Sequence, residues 1–323
     1  MVADAEMIAD RRRLRRKLTV WRVAAIGLLL IGVLAGGFAL TRGVGGPDGR
    51  DQIARISVSG VITGDSRMAE LFRRVGEAAS VSGVVVSISS PGGTTSGSEE
   101  LYRGIRELAS KKPTVAFIDG TAASGGYITA LAADRIVARE TSIVGSIGVL
   151  FQYPDFSKLL GQIGVAVEEV KSSPLKAEPS GFKPTSPEAR AALQSVVNDT
   201  YSWFKTLVQT RRGMSDAELA AVSDGRIFSA RQGVPLKLVD ELGSERDAIA
   251  WLEREKKVST GLPVRDWKPR GTSNFSLWSA AALGADLAGL EGFATALRNA
   301  AGAATQVELT GLLALWQPRA SDR

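Results

Sequence analysis

The chain has 323 residues and is 44% apolar, enough to bury a sizeable core, which excludes an intrinsically disordered protein. It encodes no cysteine and no histidine, which excludes disulfides, a thiol nucleophile, thiolate metal sites and the usual imidazole base, and leaves Ser, Thr, Lys, Asp, Glu, Tyr and backbone groups for any chemistry. Seven basic residues against three acids within residues 1–22 contribute +4 of the formal net charge of +6, so the body is nearly neutral; with scattered tryptophans and no basic stripe it is not a nucleic-acid binder.

The first element is apolar. Val23 to Leu40 reads VAAIGLLLIGVLAGGFAL, eighteen residues without a charge, and at about 1.5 Å per residue it nearly matches the hydrocarbon thickness of a bilayer. A cleaved signal peptide would carry a shorter basic region and a clear small-residue cleavage site, so residues 23–41 are expected to be a single transmembrane anchor. The basic cluster in front of it keeps residues 1–22 in the cytoplasm and places everything after Arg42 outside, in the periplasm or beyond the cell membrane of a bacterium. Residues 42–52, which include GVGGPDGRD, form a glycine-rich linker.

A globular pattern starts at Ile53, and residues 53–257 are read as one domain. β-Branched runs bounded by glycine predict strands at 53–58, 83–89 and 114–118. Apolar groups at helical spacing predict helices at 66–79 and 97–110, the second opened by Ser96 and Glu99. Strands alternating with helices indicate an α/β domain with largely parallel strands. Ser186-Pro187 starts a long helix to about Arg212, and Ser215 with Glu218 and Ser229 with Gln232 start two more. From residue 258 the composition changes to a Pro, Gly and Trp connector, an Ala, Gly and Leu-rich stretch at 279–304 and a final LLALW, read together as a C-terminal extension, 258–323, that packs against a neighbour or the membrane surface.

Three glycine-marked segments could carry chemistry. Ser90-Pro91-Gly92-Gly93 reads as a strand-to-helix turn whose backbone N–H groups could face an anion. In Ala122-Ala123-Ser124-Gly125-Gly126-Tyr127 a serine stands at a tight turn entering a helix, either as a helix cap or as an exposed nucleophile. A nucleophilic serine needs a proton acceptor, and without histidine that is a carboxylate or a lysine whose affinity for protons is lowered by burial. Lys171, Lys176 and Lys183 are the candidates, and the residues themselves do not choose among them.

Taken in order, SSPGG, KPTVAFIDGTAASGGYITALAAD, TSIVGSIGV, VKSSPLKAEP and DGRIFSARQGVPLKLVDELG resemble the short form of the signal peptide peptidase A (protease IV) family over roughly residues 53–252. The resemblance implies a membrane-anchored serine endopeptidase on the Clp/crotonase-like fold of repeated ββα units, preceded by the single N-terminal transmembrane helix. It implies Ser124 as nucleophile, Lys176 as general base with Lys171 in a flanking position, Ser146 as the residue that orients the base, and the N–H groups of Gly93 and Gly125 as the oxyanion hole. It implies no metal and no cofactor, a homo-oligomer in which neighbours complete the site, and as substrates the residual signal peptides and other apolar peptides near the membrane. One departure stands out: the family often has threonine where this chain has Val144. The competing expectations are a crotonase-like acyl-CoA enzyme and a non-catalytic membrane-tethered scaffold, both of which leave Ser124 without a task.

Overall fold

The computed structural model describes residues 50–269 and a three-residue strand at 313–315. The basic segment at 1–22, the anchor at 23–41, most of the linker and the Ala, Gly and Leu-rich stretch at 279–304 lie outside the described residues. Among the described residues no helix is long and apolar enough to cross a membrane.

The elements alternate as the sequence pattern requires: β1 (Gln52–Ile62), α1 (Ser66–Glu77), β2 (Val81–Thr94), α2 (Thr95–Lys111), β3 (Thr114–Ala123), α3 (Gly125–Leu131), β4 (Arg135–Ala138) and β5 (Ile143–Gly145). Then follow α4 (Ser157–Gln162), α5 (Pro187–Arg212), α6 (Asp216–Val222), β6 (Ile227–Ser229), α7 (Ala230–Gly233), β7 (Glu241–Leu242), α8 (Glu245–Lys256), β8 (Val264–Trp267) and β9 (Leu313–Leu315). They build one sheet in the order β6-β5-β3-β2-β1-β8, with β4 and β7 continuing beside the first half of β3. Pairings within it are parallel except β5 with β6 and β2 with β9. β3 is shared lengthwise: residues 115–118 pair with β4, and residues 121–123 pair with β5.

Both faces of the central strands are buried, which is why these strands read as near-continuous apolar runs. Alternate residues feed two separate cores, as the strand period of two dictates. Ala54, Ile56, Val84, Val86, Ile88, Ala116 and Ile118 face the larger core under α1, α2, α3 and α5. Ile53, Val85, Val115, Phe117 and Val137 face the smaller one, closed by Ala248, Trp251 and Leu252 of α8. Val258 and Trp267 are also core residues and β8 pairs with β1, so the packed body includes residues that composition groups with the extension.

The predicted strands lie inside β1, β2 and β3 but end too early. β2 runs on to Thr94 through Ser90-Pro91-Gly92-Gly93, because Val61 and Ile62 of β1 keep pairing with Gly92 and Gly93. The expected turn is therefore strand. The helix after it is capped by Thr94, whose Oγ1 accepts from the Gly97 N–H at 3.2 Å, instead of by Ser96. The other three starts stand where expected, with Ser186 capping α5 and reciprocal capping boxes at Ser215/Glu218 and Ser229/Gln232.

Candidate active site

The last three residues of β3 pair in parallel with β5: Thr121 with Ile143, Ala122 with Val144, and Ala123 with Gly145. Ser124 follows, its N–H donating to the Gly145 carbonyl at 2.8 Å, and its own carbonyl accepts from Tyr127 and Ile128 to begin α3. Its backbone sits at φ 53°, ψ −115°, and its side chain makes no capping hydrogen bond. A non-glycine residue held there costs about 1–3 kcal/mol, a strain that persists where the surroundings over-determine it. The cap reading offers no compensation for this strain. A sharp strand-to-helix elbow that presents a serine hydroxyl does explain it. Ser124 is 1% exposed. A Cβ on Gly126 would lie 2.6 Å from the Ser90 carbonyl oxygen, so only glycine lets α3 start this close to β2.

β5 ends in the same manner. Gly145 has φ 90° and Ser146 φ 52°, with the Ser146 N–H donating to the Arg226 carbonyl at 2.8 Å. Because Ala123 and Gly145 are partners, Ser124 and Ser146 leave adjacent parallel strands side by side, the second serine 8% exposed. Val144 is fully buried in the larger core. Whatever a threonine contributes at that position, this chain has traded for apolar packing.

The third wall is the end of β2. Ser90 pairs with Ala122, two residues before Ser124. Its hydroxyl donates to the Gly60 carbonyl at 2.7 Å and accepts from the Gly92 N–H at 3.1 Å, which ties the glycine pair to the end of β1. Gly92 has φ 104°, and a Cβ on Gly93 would lie 1.8 Å from the Ile62 carbonyl oxygen, so no side chain fits there. Ser90 was not among the expected site residues; its signal in the sequence is a serine placed just before Pro-Gly-Gly. Beside Ile62 a cleft of about 220 Å³ opens between Val58, Val61, Met68 and Leu101.

The three lysines fare differently. Lys171 lies between Glu169, at 2.8 Å, and Glu178, and hydrogen bonds to these carboxylates push its ammonium above the ordinary lysine value, which keeps it cationic. Lys183 lies 3.3 Å from Glu169. Lys176 is exposed; its N–H donates to the Ser173 carbonyl at 3.1 Å, but among the described residues its side chain makes no hydrogen bond or ion pair, with Ser124 or with any other group. Nor can the nearby phenol serve as base: Tyr127 is fully buried, donates to the Leu238 carbonyl at 2.9 Å, and burial pushes its ionisation up. The strand register thus puts Ser124 with Gly125 and Ser146 just past the ends of the neighbouring strands β3 and β5, and Gly93 three residues beyond the Ser90–Ala122 pair on β2, whereas Lys176 lies in the segment after α4. Among residues 150–183 Gly181 alone is buried, while Phe156, Leu159, Ile163, Val165, Val170, Leu175 and Phe182 are exposed.

Comparison with known proteins bears on the same region. A family model described as peptidase family S49 matches residues 106–259. A protein named as a protease in Methanocaldococcus jannaschii is 39% identical over 180 residues, 56% of this chain and 58% of that one. One from Synechocystis, also named as a protease, is 36% identical over 203 residues, 62% of this chain and 73% of that one. A protein of Enterococcus faecium named as a signal peptide peptidase SppA is 32% identical over 241 residues, 70% of each chain.

Proposed function

This chain belongs to peptidase family S49 and is a serine peptidase, and we propose that it cuts apolar peptides with Ser124 as nucleophile and Lys176 as general base. The observation that carries this reading is the strained, buried Ser124 elbow, which leaves β3 next to the Ser146 turn at the end of β5. Of the three candidate lysines, Lys176 alone is unclaimed by a carboxylate among the described residues.

The base reaches the nucleophile from another copy of the chain. The arm that bears Lys176 exposes a run of large apolar side chains, which a second copy would cover, and the same contact would strip water from the amine. A neutral amine so placed takes the Ser124 proton as the hydroxyl attacks the scissile carbonyl, and Ser146 holds that amine in line. The oxyanion forms between the N–H groups of Gly93 and Gly125, each donor contributing about 3 kcal/mol at the transition state. The tetrahedral intermediate collapses, the leaving amine receives the proton from Lys176, and water then hydrolyses the acyl group from Ser124 by the reverse sequence.

The substrates are residual signal peptides and similar apolar, extended segments. The cleft beside Ile62, lined by Val58, Val61, Met68 and Leu101 but also by Ser57, Ser59, Thr63 and Asp65, would receive one side chain of such a peptide. Residues 23–41 would tether the enzyme to the bacterial cell membrane, with residues 53–257 on the extracytoplasmic side, where a tethered peptidase meets such peptides at high local concentration. We place the domain in the Clp/crotonase-like group. An acyl-CoA enzyme and a scaffold give the strained serine no task.

Fluorophosphonate labelling of the full chain in detergent tests the reading. The expected result is one adduct, on Ser124, absent from Ser124→Ala and strongly slowed in Lys176→Ala. A folded, assembled protein that takes no label would overturn it.

A further inference from the structure

The loop that carries Lys176 is exposed, yet its two ends are tied together. Lys171 lies between Glu169, at 2.8 Å, and Glu178, seven residues further along the chain, and Glu169 also meets Lys183 at 3.3 Å. The side chains of Lys171, Glu169 and Glu178 are 17%, 20% and 15% exposed, whereas residues 172–177 between them are all exposed. Inside this closed loop the Lys176 N–H donates to the Ser173 carbonyl at 3.1 Å and the Glu178 N–H to the Leu175 carbonyl at 3.3 Å. Ala177, between the two, stands at φ 60°. A non-glycine residue keeps such a backbone where its surroundings over-determine it, and here the tie between Lys171 and Glu178 closes the turn. The other Glu178 oxygen accepts from the Ser180 N–H at 3.3 Å.

We propose that Lys171 is a positioning residue for the peptidase reaction: by holding Glu169 and Glu178 it closes the loop that presents Lys176 and keeps both carboxylates away from that amine. The role rests on the reading of Lys176 as the base; the ion pairs do not. A carboxylate beside a lysine favours the ammonium form, which accepts no proton. Glu178 stands two positions from Lys176 and Glu169 seven, and a contact that buries the amine would strengthen their pull as it removes water. Lys171 answers both charges, and the hydrogen bonds it makes to them keep it cationic where Lys176 must be neutral. The lysine that cannot be the base thus allows the other one to act. Among the described residues no ion pair joins a further charged group to Glu169, Lys171, Glu178 and Lys183. Ser124 and Ser146, which the amine would face in the proposed site, are uncharged.

The test follows the rate of fluorophosphonate labelling of Ser124 against pH, in the full chain in detergent. Lys171→Met should move the acidic limb of that profile upward by about one pH unit, because the freed carboxylates raise the proton affinity of Lys176. Labelling then drops about tenfold below the parent's midpoint and returns to the parent's rate well above it. Lys171→Arg keeps the charge and should keep the midpoint. Lys171→Met combined with Glu169→Gln and Glu178→Gln should bring the midpoint back, since neither carboxylate is left to hold the ammonium. Glu169→Gln with Glu178→Gln in a chain that retains Lys171 should give a midpoint no higher than the parent's, a readout independent of how the Lys171 variants fold. An unshifted midpoint in Lys171→Met, a loss equal at every pH, or a rise in the double glutamine variant would overturn the inference. A parent that takes no label, or a Lys176→Ala variant labelled as fast as the parent, would instead remove the base reading, and the role of Lys171 with it.

Discussion

Residues 52–146 and residues 150–183 follow each other in the chain and obey opposite rules. In the first, β1, β2 and β3 bury both faces, and Ser90 and the turns at Ser124 and Ser146 are held by strand register and by carbonyls at 2.7–2.8 Å. In the second, α4 buries nothing and its apolar residues face outward. The proposed nucleophile is positioned within one chain, whereas the proposed base, Lys176, is exposed among the described residues. The difference teaches that a strained hydroxyl can be positioned by a sheet alone, but an amine that must shed its proton needs a second surface to bury it.

The sharpest way to break this contrast is to damage each half separately. Ser124→Ala and Lys176→Ala should each lower kcat by about 10⁴-fold or more, as the loss of either member of a nucleophile and base pair does, with the fold intact by circular dichroism. Assemblies containing both variants should recover activity, because random mixing places an intact serine beside an intact lysine at about a quarter of the sites. Mixed assemblies, verified by mass, that stay inactive would mean that Lys176 acts within its own chain.

Next in size is packing under the site. Phe117, 1% exposed, seats β3 against α8. Phe117→Ala should destabilise the domain by about 3–5 kcal/mol, read by denaturant or thermal unfolding. A loss below about 1 kcal/mol would mean that the smaller core contributes little to holding the elbow in place.

Glycines give the comparison a matched pair. Gly93→Ala drives a Cβ into the Ile62 carbonyl, so the N–H proposed to hold the oxyanion must move, and kcat should fall by about 10²–10³-fold. Gly164→Ala, on the arm at φ 74° with nothing within 4 Å of the new Cβ, should cost about 1 kcal/mol in stability. Activity in Gly93→Ala within tenfold of the parent would remove Gly93 from the oxyanion hole.

The legible parts of the molecule were the local ones. Ser186, Ser215 and Ser229 are caps that depend only on residues two or three positions away, and the strands announce themselves because both of their faces are buried. What the sequence hid depends on partners far along the chain. Pro-Gly-Gly continues β2 because β1 lies beside it, a pairing across about thirty residues that turn propensity cannot anticipate. Val264–Trp267 is too short and too charged to signal a strand, and becomes one because β1 offers it an edge. Ser90 works through Gly60, thirty residues away. The residues alone left the three lysines open and the resemblance named Lys176; the structure adds that Glu169 and Glu178 pair with Lys171.

The smallest expected change in chain stability carries the most information about the arm. Leu159 and Ile163 are 55% and 63% exposed and stand four positions apart, on one side of α4 and its C-terminal end. If a second copy covers that side, Leu159→Ser with Ile163→Ser removes the apolar contact while touching no core residue of its own chain. Unfolding of the chain should then shift by less than about 0.5 kcal/mol, the range of ordinary surface substitutions. Sedimentation should show loss of the higher assembly, and peptide turnover should fall with it, because Lys176 no longer arrives beside Ser124. Reagent access to Ser124 should persist, since the elbow is built by β2, β3 and β5 of its own chain. A double variant that stays assembled and fully active would move the interface elsewhere, and the base would then have to reach the serine by closure of its own arm.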